Sequence, residues 1–320
     1  MSILNQLQEN FPDLDFREQY LLTKQTYFKI GGYAEVYLEL DQKEKIIEVI
    51  SFCKKNKIKI TILGGASNVV ISDDGISGLV LHLKNNQLVD LNQVTQKKQY
   101  LVKAGAGLKT SLLVKKTVDL GYTGLEFFLG VPGTVGGAIF NNAHYLEDLI
   151  SDHVHQVEII TESGDVKTIS ADECEFSYDA SRFHHTNEII LEVTFALKKG
   201  SLEKSQELIK KATQYRADTQ PLGLPSSGCI FKNTPNSPEL KKLFPMFESR
   251  KFISAGFLID RAGLKGTKVG GVEVSKKHAA FFINSGDGTA VDLKKLIKLV
   301  KKEVNNKFNI DLEEEVFYLS

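Results

Sequence analysis

Between residues 124 and 142 the chain reads Gly124-Leu-Glu-Phe-Phe-Leu-Gly-Val-Pro-Gly-Thr-Val-Gly-Gly-Ala-Ile-Phe-Asn-Asn142, five glycines and a proline set among apolar side chains. A solvated linker would be more polar, and a regular helix or strand would not tolerate this density of glycine. The stretch is therefore a loop that is buried or faces a ligand. A second loop of the same character, Gly64-Gly65-Ala66-Ser67-Asn68, follows directly on Lys59 to Leu63, a run that predicts a strand. A diphosphate needs several backbone N–H donors converging on it, and glycine allows both close approach and positive φ. Hydrogen bonds to a charged group contribute about 1.5–3 kcal/mol each, so a few donors hold a diphosphate without a nearby lysine. Each loop taken alone reads equally as a tight turn. Neither is a GxGxxG fingerprint, and no strand, glycine loop and helix unit with a later acidic residue is evident, which disfavours a Rossmann domain.

Working outward, the N-terminal segment 1–24 contains a short helix. Asp41 to Asn56 predicts an amphipathic helix with Asp41 and Glu44 at its cap and Ile46, Ile47, Ile50 and Cys53 on one face. Leu79 to Lys103 reads as short strands, Leu108 to Leu120 as a helix stopped by Gly121, and Val154 to Ile169 as a hairpin turning at Ser163-Gly164-Asp165. A strand from Glu188 to Leu197 ends at Lys198-Lys199-Gly200-Ser201, the best domain boundary, after which Leu202 to Ala217 reads as a helix. Beyond a Pro/Gly/Ser loop, Gln220 to Gly228, come a helix around Phe257 to Ala262 and a strand at Ala279 to Asn284. The last helix opens on a capping box, Thr289 and Asp292, with Leu293, Ile297, Val300 and Val304 as its stripe.

The bulk numbers exclude several function classes. With 320 residues, 42% hydrophobic and 25% charged, the chain is of a size for two or three globular domains. Forty basic residues cancel forty acidic ones, so neither nucleic acid nor an anionic membrane is an expected partner. The N-terminus carries no secretory signal pattern, and no apolar run approaches spanning length. Cys53, Cys174 and Cys229 are odd in number and widely spaced, which argues for the reducing cytoplasm and against a disulfide framework or a zinc site; no metal is expected.

The order of motifs decides between turn and ligand loop. Gln25-Thr-Tyr-Phe-Lys-Ile-Gly-Gly32, Leu63-Gly-Gly-Ala-Ser-Asn68 with Ser72-Asp73, Ala104-Gly-Ala-Gly107, Gly124-Leu-Glu-Phe127 and Val131-Pro-Gly-Thr-Val-Gly-Gly-Ala138 resemble the flavin-domain signatures of the UDP-N-acetylmuramate dehydrogenase (MurB) family, in its shorter second form. Ser227-Gly-Cys-Ile-Phe-Lys-Asn233, Ala255-Gly-Phe-Leu-Ile259, Ala262-Gly-Leu-Lys-Gly266 and Leu312-Glu-Glu-Glu-Val316 continue the likeness in the C-terminal half. The resemblance implies an α+β fold: an FAD-binding region of the PCMH or vanillyl-alcohol-oxidase type over 25–200, in two subdomains (25–75 and 76–200), then a UDP-sugar substrate domain over 201–320. It implies a monomer that uses FAD and NADPH to reduce UDP-N-acetylglucosamine enolpyruvate in peptidoglycan synthesis, and so serves cell shape and division. Implied to bind FAD are Tyr27, Ile30, Gly31, Gly64, Gly65, Ala66, Ser67, Asn68, Gly133, Thr134, Gly136, Gly137, Ala138 and Asn141; for the UDP part the candidates are Arg216, Lys232 and Asn233.

Hydride addition to the enolpyruvyl double bond pushes negative charge onto the neighbouring carboxylate, so a cation or strong donors must face it and an acid must protonate the other carbon. Cys229 stands where the family has a proton-donating serine; a thiol with an ordinary pKa of about 8.5 is protonated at neutral pH and releases its proton more easily than a hydroxyl. The alternative is an inert buried cysteine. Glu315 aligns with the family's catalytic glutamate, although a one-residue slip within Glu313-Glu314-Glu315 stays open. The family's arginine is replaced by Asp179 in Tyr178-Asp179-Ala180-Ser181-Arg182-Phe183. Either Arg182 turns inward, sharing a helical face with position 179, and supplies the cation, or it pairs with Asp179. Asn141-Asn-Ala-His-Tyr-Leu-Glu147 also departs from the family's Asn-Ala-Gly run, and its His144 reads as a surface or packing residue. A different flavin oxidoreductase on the same scaffold, or a flavin-binding homologue impaired in catalysis, are the rival readings.

Overall fold

The computed structural model describes residues 2–145 and 148–320, so Leu146 and Glu147 of the Asn141–Glu147 departure lie outside the described residues. The chain forms two compact units. One comprises Met1–Tyr20, Ala34–Ala66 and Ile76–Arg216; the other comprises Leu21–Tyr33, Ser67–Gly75 and Ala217–Ser320.

Among the described residues the first unit holds two larger sheets, besides the short pair His144–Tyr145 and Asp148–Leu149. Its four-stranded sheet has the order Arg17–Leu21, Tyr33–Leu40, Ile76–Leu83, Ile60–Leu63, and the last three strands pair in parallel. Parallel neighbours require a crossover, and the helix Lys43–Lys55 provides it between Leu40 and Ile60, burying Ile46, Val49, Ile50 and Cys53. The register of that apolar face is as expected except that Val49 is buried and Ile47 only partly so. The expected Asp41 cap is absent: Gln42 takes the N-cap position with no side-chain bond to the helix. The second sheet is antiparallel, in the order Val166–Ser170, Val154–Ile160, Ile189–Lys199, Tyr100–Gly105, Leu88–Val94, with Tyr122–Thr123 also pairing Ile189–Lys199. The change of sheet falls between Leu83 and Leu88 and not at 75–76. The helix Thr110–Asp119 buries Leu113, Val114, Thr117 and Val118 in the same core.

Lys43 ties the crossover helix to the antiparallel sheet, with Nζ 2.7 Å from Glu192 and 2.5 Å from Glu158. Burial pushes the Glu192 carboxyl up, but hydrogen bonds from Lys43 and Gln87 and the charges of Lys43 and Lys103 outweigh it and hold the group below the usual carboxylate range. A depressed folded-state pKa gives stability that is present above the unfolded value and lost as pH falls through the folded one. Glu192→Gln is therefore expected to lower stability by about 1–3 kcal/mol at pH 7. The difference from the unaltered protein should shrink as pH is lowered through roughly 5 to 3. Urea denaturation across that range checks it.

The second unit packs the helices Ala255–Arg261 and Ala290–Phe308 with a sheet of Lys268–Val269, Val272–Val274 and Phe282–Asn284 around Ile230, Phe231, Leu258, Phe282, Leu296 and Val300. The Thr289–Asp292 capping box is present, and the helix it opens gains a second cap, Asp73, whose carboxylate accepts from Ala290 N at 2.8 Å and Val291 N at 3.0 Å.

Two long-range devices set the partition where local chemistry gave no sign of it. Val69–Ile71 pairs in parallel with Phe317–Leu319, and Ser72 O accepts from Gly32 N, so 21–33 and 67–75 belong with the C-terminal residues. The helix Leu202–Thr219 stays with the first unit as far as Arg216 because buried Glu126 accepts from Ser205 Oγ, Thr123 Oγ1 and Gly124 N. Lys198–Ser201 ends a strand, and the unit continues beyond it.

Candidate active site

The two glycine loops meet within the first unit. A Cβ built on Gly65 would lie 2.3 Å from Gly133 Cα, and one on Gly64 would lie 2.7 Å from Thr134 Oγ1. Gly133 cannot give way easily, since its carbonyl accepts from Thr110 N at 3.2 Å and the next turn is anchored by Val135 N on Leu108 O. The main chains therefore touch with no side chain between them. At this crossing two buried hydroxyl oxygens, Thr110 Oγ1 and Thr134 Oγ1, have no hydrogen-bond partner; nor has Asn141 Oδ1, at the C-terminal end of the helix Val135–Phe140. Buried polar atoms are normally satisfied, so two such oxygens beside a bare backbone crossing fit a polar ligand such as a dinucleotide. Thr110 is a residue the sequence reading missed; its only signal is its place just after Ala104-Gly-Ala-Gly107.

Other expected cofactor residues divide. Gly136 donates its N–H to Ala106 O at 2.8 Å, and its missing side chain lets Ala106 approach, so it is a packing glycine rather than a donor to a ligand. Gly137 and Ala138 continue the same turn of helix, Val135–Phe140. Asn142 is fully buried and structural, with Nδ2 donating to Ser177 O and Oδ1 accepting from Ser151 N. Tyr27, Ile30, Gly31, Ser67 and Asn68 belong to the second unit; Ile30 lies in its core, Gly31 (φ +137°) presses on Ile71, and Tyr27 is 46% exposed. Ala66 is the last residue of its stretch in the first unit.

The proposed acid and the glutamate are brought together by backbone pairing in the second unit. Residues 229 to 231 run between two segments: Cys229 bridges Phe281, Ile230 N donates to Ala280 O, Phe231 bridges Glu314, and Glu315 N donates to Ile230 O at 2.8 Å. Glu315 thus pairs with the neighbour of Cys229, and Asn68 Nδ2 holds the Glu315 carbonyl at 3.2 Å. Both side chains are half-buried. Glu313 and Glu314 are engaged elsewhere, with Lys232 and Lys301. Gly228, at φ +80° with open space where a side chain would stand, leads into Cys229, and the hydroxyl of buried Ser227 has no partner. Lys232 in its ion pair and Asn233, which accepts from Ala255 N, are both bound within the fold. Arg216 donates to Gly130 O and lies over the Tyr145 ring at 5.5 Å.

Arg182 is not the inward cation, nor does it pair with Asp179. Its Nε and Nη2 reach the two oxygens of Glu188 at 2.9 and 3.0 Å, and Nη1 donates to Glu173 O. The helical face assumed for 179 and 182 does not exist: Ser177 and Ala180 close a tight turn with Asp179 at φ +51°, and a new short helix, Arg182–His184, begins after it. Arg182→Ala is expected to cost about 3 kcal/mol by stranding a buried carboxylate while leaving kcat of the folded protein unchanged. Thermal melts and steady-state turnover on one preparation separate the two effects. Asp179 instead takes His144, with Nδ1 2.9 Å from Oδ1; Asp179 is only 6% exposed, and its Oδ2 is buried without a partner. The two positions that depart from the family pattern are thus partners of one another.

A domain model described as FAD binding domain matches residues 34–170, so fold and site define the chain as a flavin-binding α+β protein. A second, described as UDP-N-acetylenolpyruvoylglucosamine reductase, C-terminal domain, matches residues 220–319. The UDP-N-acetylenolpyruvoylglucosamine reductase of Listeria monocytogenes serotype 4a is 36% identical over 98% of both chains, and that of Chlamydia felis is 38% identical over 92% of this chain and 91% of its own. The crystal structure of the Thermus caldophilus enzyme (MurB) superposes with a TM-score of 0.75 at 27% identity, covering 96% of this chain and 99% of that one. The chain belongs to the UDP-N-acetylenolpyruvoylglucosamine reductase family.

Proposed function

We propose that the protein reduces the enolpyruvyl ether of UDP-N-acetylglucosamine to the lactyl ether of UDP-N-acetylmuramate, as a cytoplasmic monomer acting in peptidoglycan synthesis, with FAD as cofactor and NADPH as reductant. The observation that carries the proposal is the pairing of Glu315 with Ile230, which sets a carboxylate and the Cys229 thiol on adjoining segments in a chain that also owns a backbone crossing suited to a dinucleotide. Bound FAD supplies the hydride. The crossing of Gly64-Gly65-Ala66 with Gly133-Thr134 holds its diphosphate, and Thr110, Thr134 and Asn141 give their unpartnered atoms to the nucleotide. Cys229 delivers the proton to the carbon that does not receive hydride, and Glu315 orients the charge-bearing part of the substrate. Arg216, Lys232 and Asn233 remain the candidates for the UDP moiety.

Arg182 is held by Glu188 and His144 by Asp179, and neither is assigned the cation that faces the substrate carboxylate. The overall proposal is tested anaerobically. Yellow protein should be bleached by NADPH and regain its colour on adding the enolpyruvyl UDP-sugar. Recolouring by oxygen alone would favour an oxidase on the same scaffold, and failure to bleach would favour an impaired flavin binder.

A further inference from the structure

The helix Leu202–Thr219 is polar along most of its length, and the residues it withdraws from solvent recur at helical spacing: Ser205, Leu208, Ile209, Ala212 and Arg216. Two of these can hydrogen-bond through their side chains, Ser205 and, about three turns further on, Arg216. Both reach the same short helix, Glu126–Gly130. Ser205 Oγ donates to Glu126 Oε1 at 2.5 Å, where that helix begins, and Arg216 Nη1 donates to Gly130 O at 2.6 Å, where it ends. Between the two, Ile209 packs against the core of the unit.

The carbonyl that Arg216 holds leads into the glycine crossing. Gly130 is followed by Val131, Pro132 and then Gly133, the residue against which Gly65 lies. One end of this connection is fixed by Thr110 N on Gly133 O, and the other by Arg216 on Gly130 O. The arginine is itself steered. Its guanidinium lies over the Tyr145 ring at 5.5 Å, and that ring stacks at 5.4 Å on Phe127, which belongs to the same short helix. Its stem crosses Gly130, where a Cβ would lie 2.5 Å from Arg216 Cδ and 2.9 Å from Nε. These contacts serve the loop, and a role in holding a UDP moiety does not account for them.

We infer that Arg216 is a positioning residue for the cofactor: it fixes the Gly130 carbonyl and with it the course of residues 131–134 toward the crossing that faces the FAD diphosphate. Ser205 fixes the other end of the short helix. The inference rests on the assignment of the glycine turns to FAD. An arginine that merely braced the fold would stabilise the apoprotein and the holoprotein alike. One that held the UDP-sugar would act on substrate affinity and leave FAD affinity alone. A positioning residue acts on FAD affinity.

The test compares the full chain with three variants. Arg216→Met keeps the apolar stem and loses the donors; Arg216→Lys keeps a donor and the charge. Gly130→Ala leaves the arginine in the chain but pushes its side chain off the carbonyl, and Gly130 is not at positive φ, so its backbone accepts alanine. The FAD dissociation constant is read from flavin fluorescence, and the melting temperature with and without saturating FAD. The dissociation constant of the enolpyruvyl UDP-sugar is read on the FAD-saturated, oxidised protein. Arg216→Met and Gly130→Ala are expected to weaken FAD about tenfold, the factor that corresponds to one well-placed hydrogen bond, and to shrink the FAD-induced rise in melting temperature. Arg216→Lys should stay within about threefold of the unaltered protein, and UDP-sugar affinity within about threefold in all three. Equal losses of melting temperature with and without FAD, at unchanged FAD affinity, would overturn the inference. So would weakened UDP-sugar binding at unchanged FAD affinity, or a Gly130→Ala protein that binds FAD normally. If Arg216→Met fails to fold, Gly130→Ala and Arg216→Lys decide by the same readouts. Unaltered protein that takes up no FAD overturns the assignment of the turns and this inference with it; unaltered and variant proteins that bind FAD equally well overturn only the role of Arg216.

Discussion

Cys229→Ala lowers turnover by about 10²–10⁴, the span over which a positioned general acid contributes, while the reduction of bound flavin by NADPH proceeds at its normal rate. The backbone of Cys229 is fixed by neighbours on both sides, with Phe281 across one edge and the Ile230–Glu315 pair beside it, so the main chain at 229 keeps its course when the sulfur is removed. Cys229→Ser keeps an exchangeable proton at the same place on a weaker acid, and its turnover is expected within about tenfold of the original. Stopped-flow mixing with NADPH and then with the enolpyruvyl UDP-sugar separates the two half-reactions. Unimpaired turnover in Cys229→Ala would remove the thiol from the mechanism and leave it as a half-buried structural cysteine.

Gly65→Ala yields colourless protein. The added methyl meets three backbone atoms, Gly133 Cα at 2.3 Å, Gly133 C at 2.8 Å and Thr134 N at 3.1 Å, none of which can rotate away as a side-chain tip would. The opposing strand is held by Thr110 and Leu108, so relief must come from parting the two turns. Overpacking of this kind costs about 1–3 kcal/mol, and the displacement falls on the atoms proposed to line the diphosphate. FAD affinity should drop by about a hundredfold or more, well beyond the loss of one hydrogen bond. Gly136→Ala, by contrast, meets the Ala106 methyl at 3.0 Å and should disturb packing more than affinity. If Gly65→Ala retained full colour, the crossing of the turns would have no part in holding the cofactor.

What the sequence disclosed follows from where each piece of chemistry resides. The helices Lys43–Lys55 and Ala290–Phe308 were legible because their apolar stripes and, in the second, the Thr289–Asp292 box are local. The glycine turns were legible as loops because what marks them is a run of missing side chains. Arg182 was misread because its partner, Glu188, lies beyond a short helix, and because the turn at 177–180 breaks the helical spacing assumed for it. The His144–Asp179 pair was invisible for a different reason: each residue looked like an isolated departure, and only the fold brings the two positions together. The unit boundary escaped because it depends on Ser205 reaching Glu126 and on a strand at 69–71 pairing with one at 317–319.

That last pairing bears on how the protein is made. Val69–Ile71 emerges from the ribosome well before Phe317–Leu319, the strand that fills its edge, because the whole intervening chain is made between them. Until that strand is made the segment must wait with its edge unfilled, and the Asp73 carboxylate waits likewise for the helix it will cap. The second unit is therefore completed late, and a ribosome stalled before Phe317 would leave an exposed strand edge open to chaperones or to aggregation.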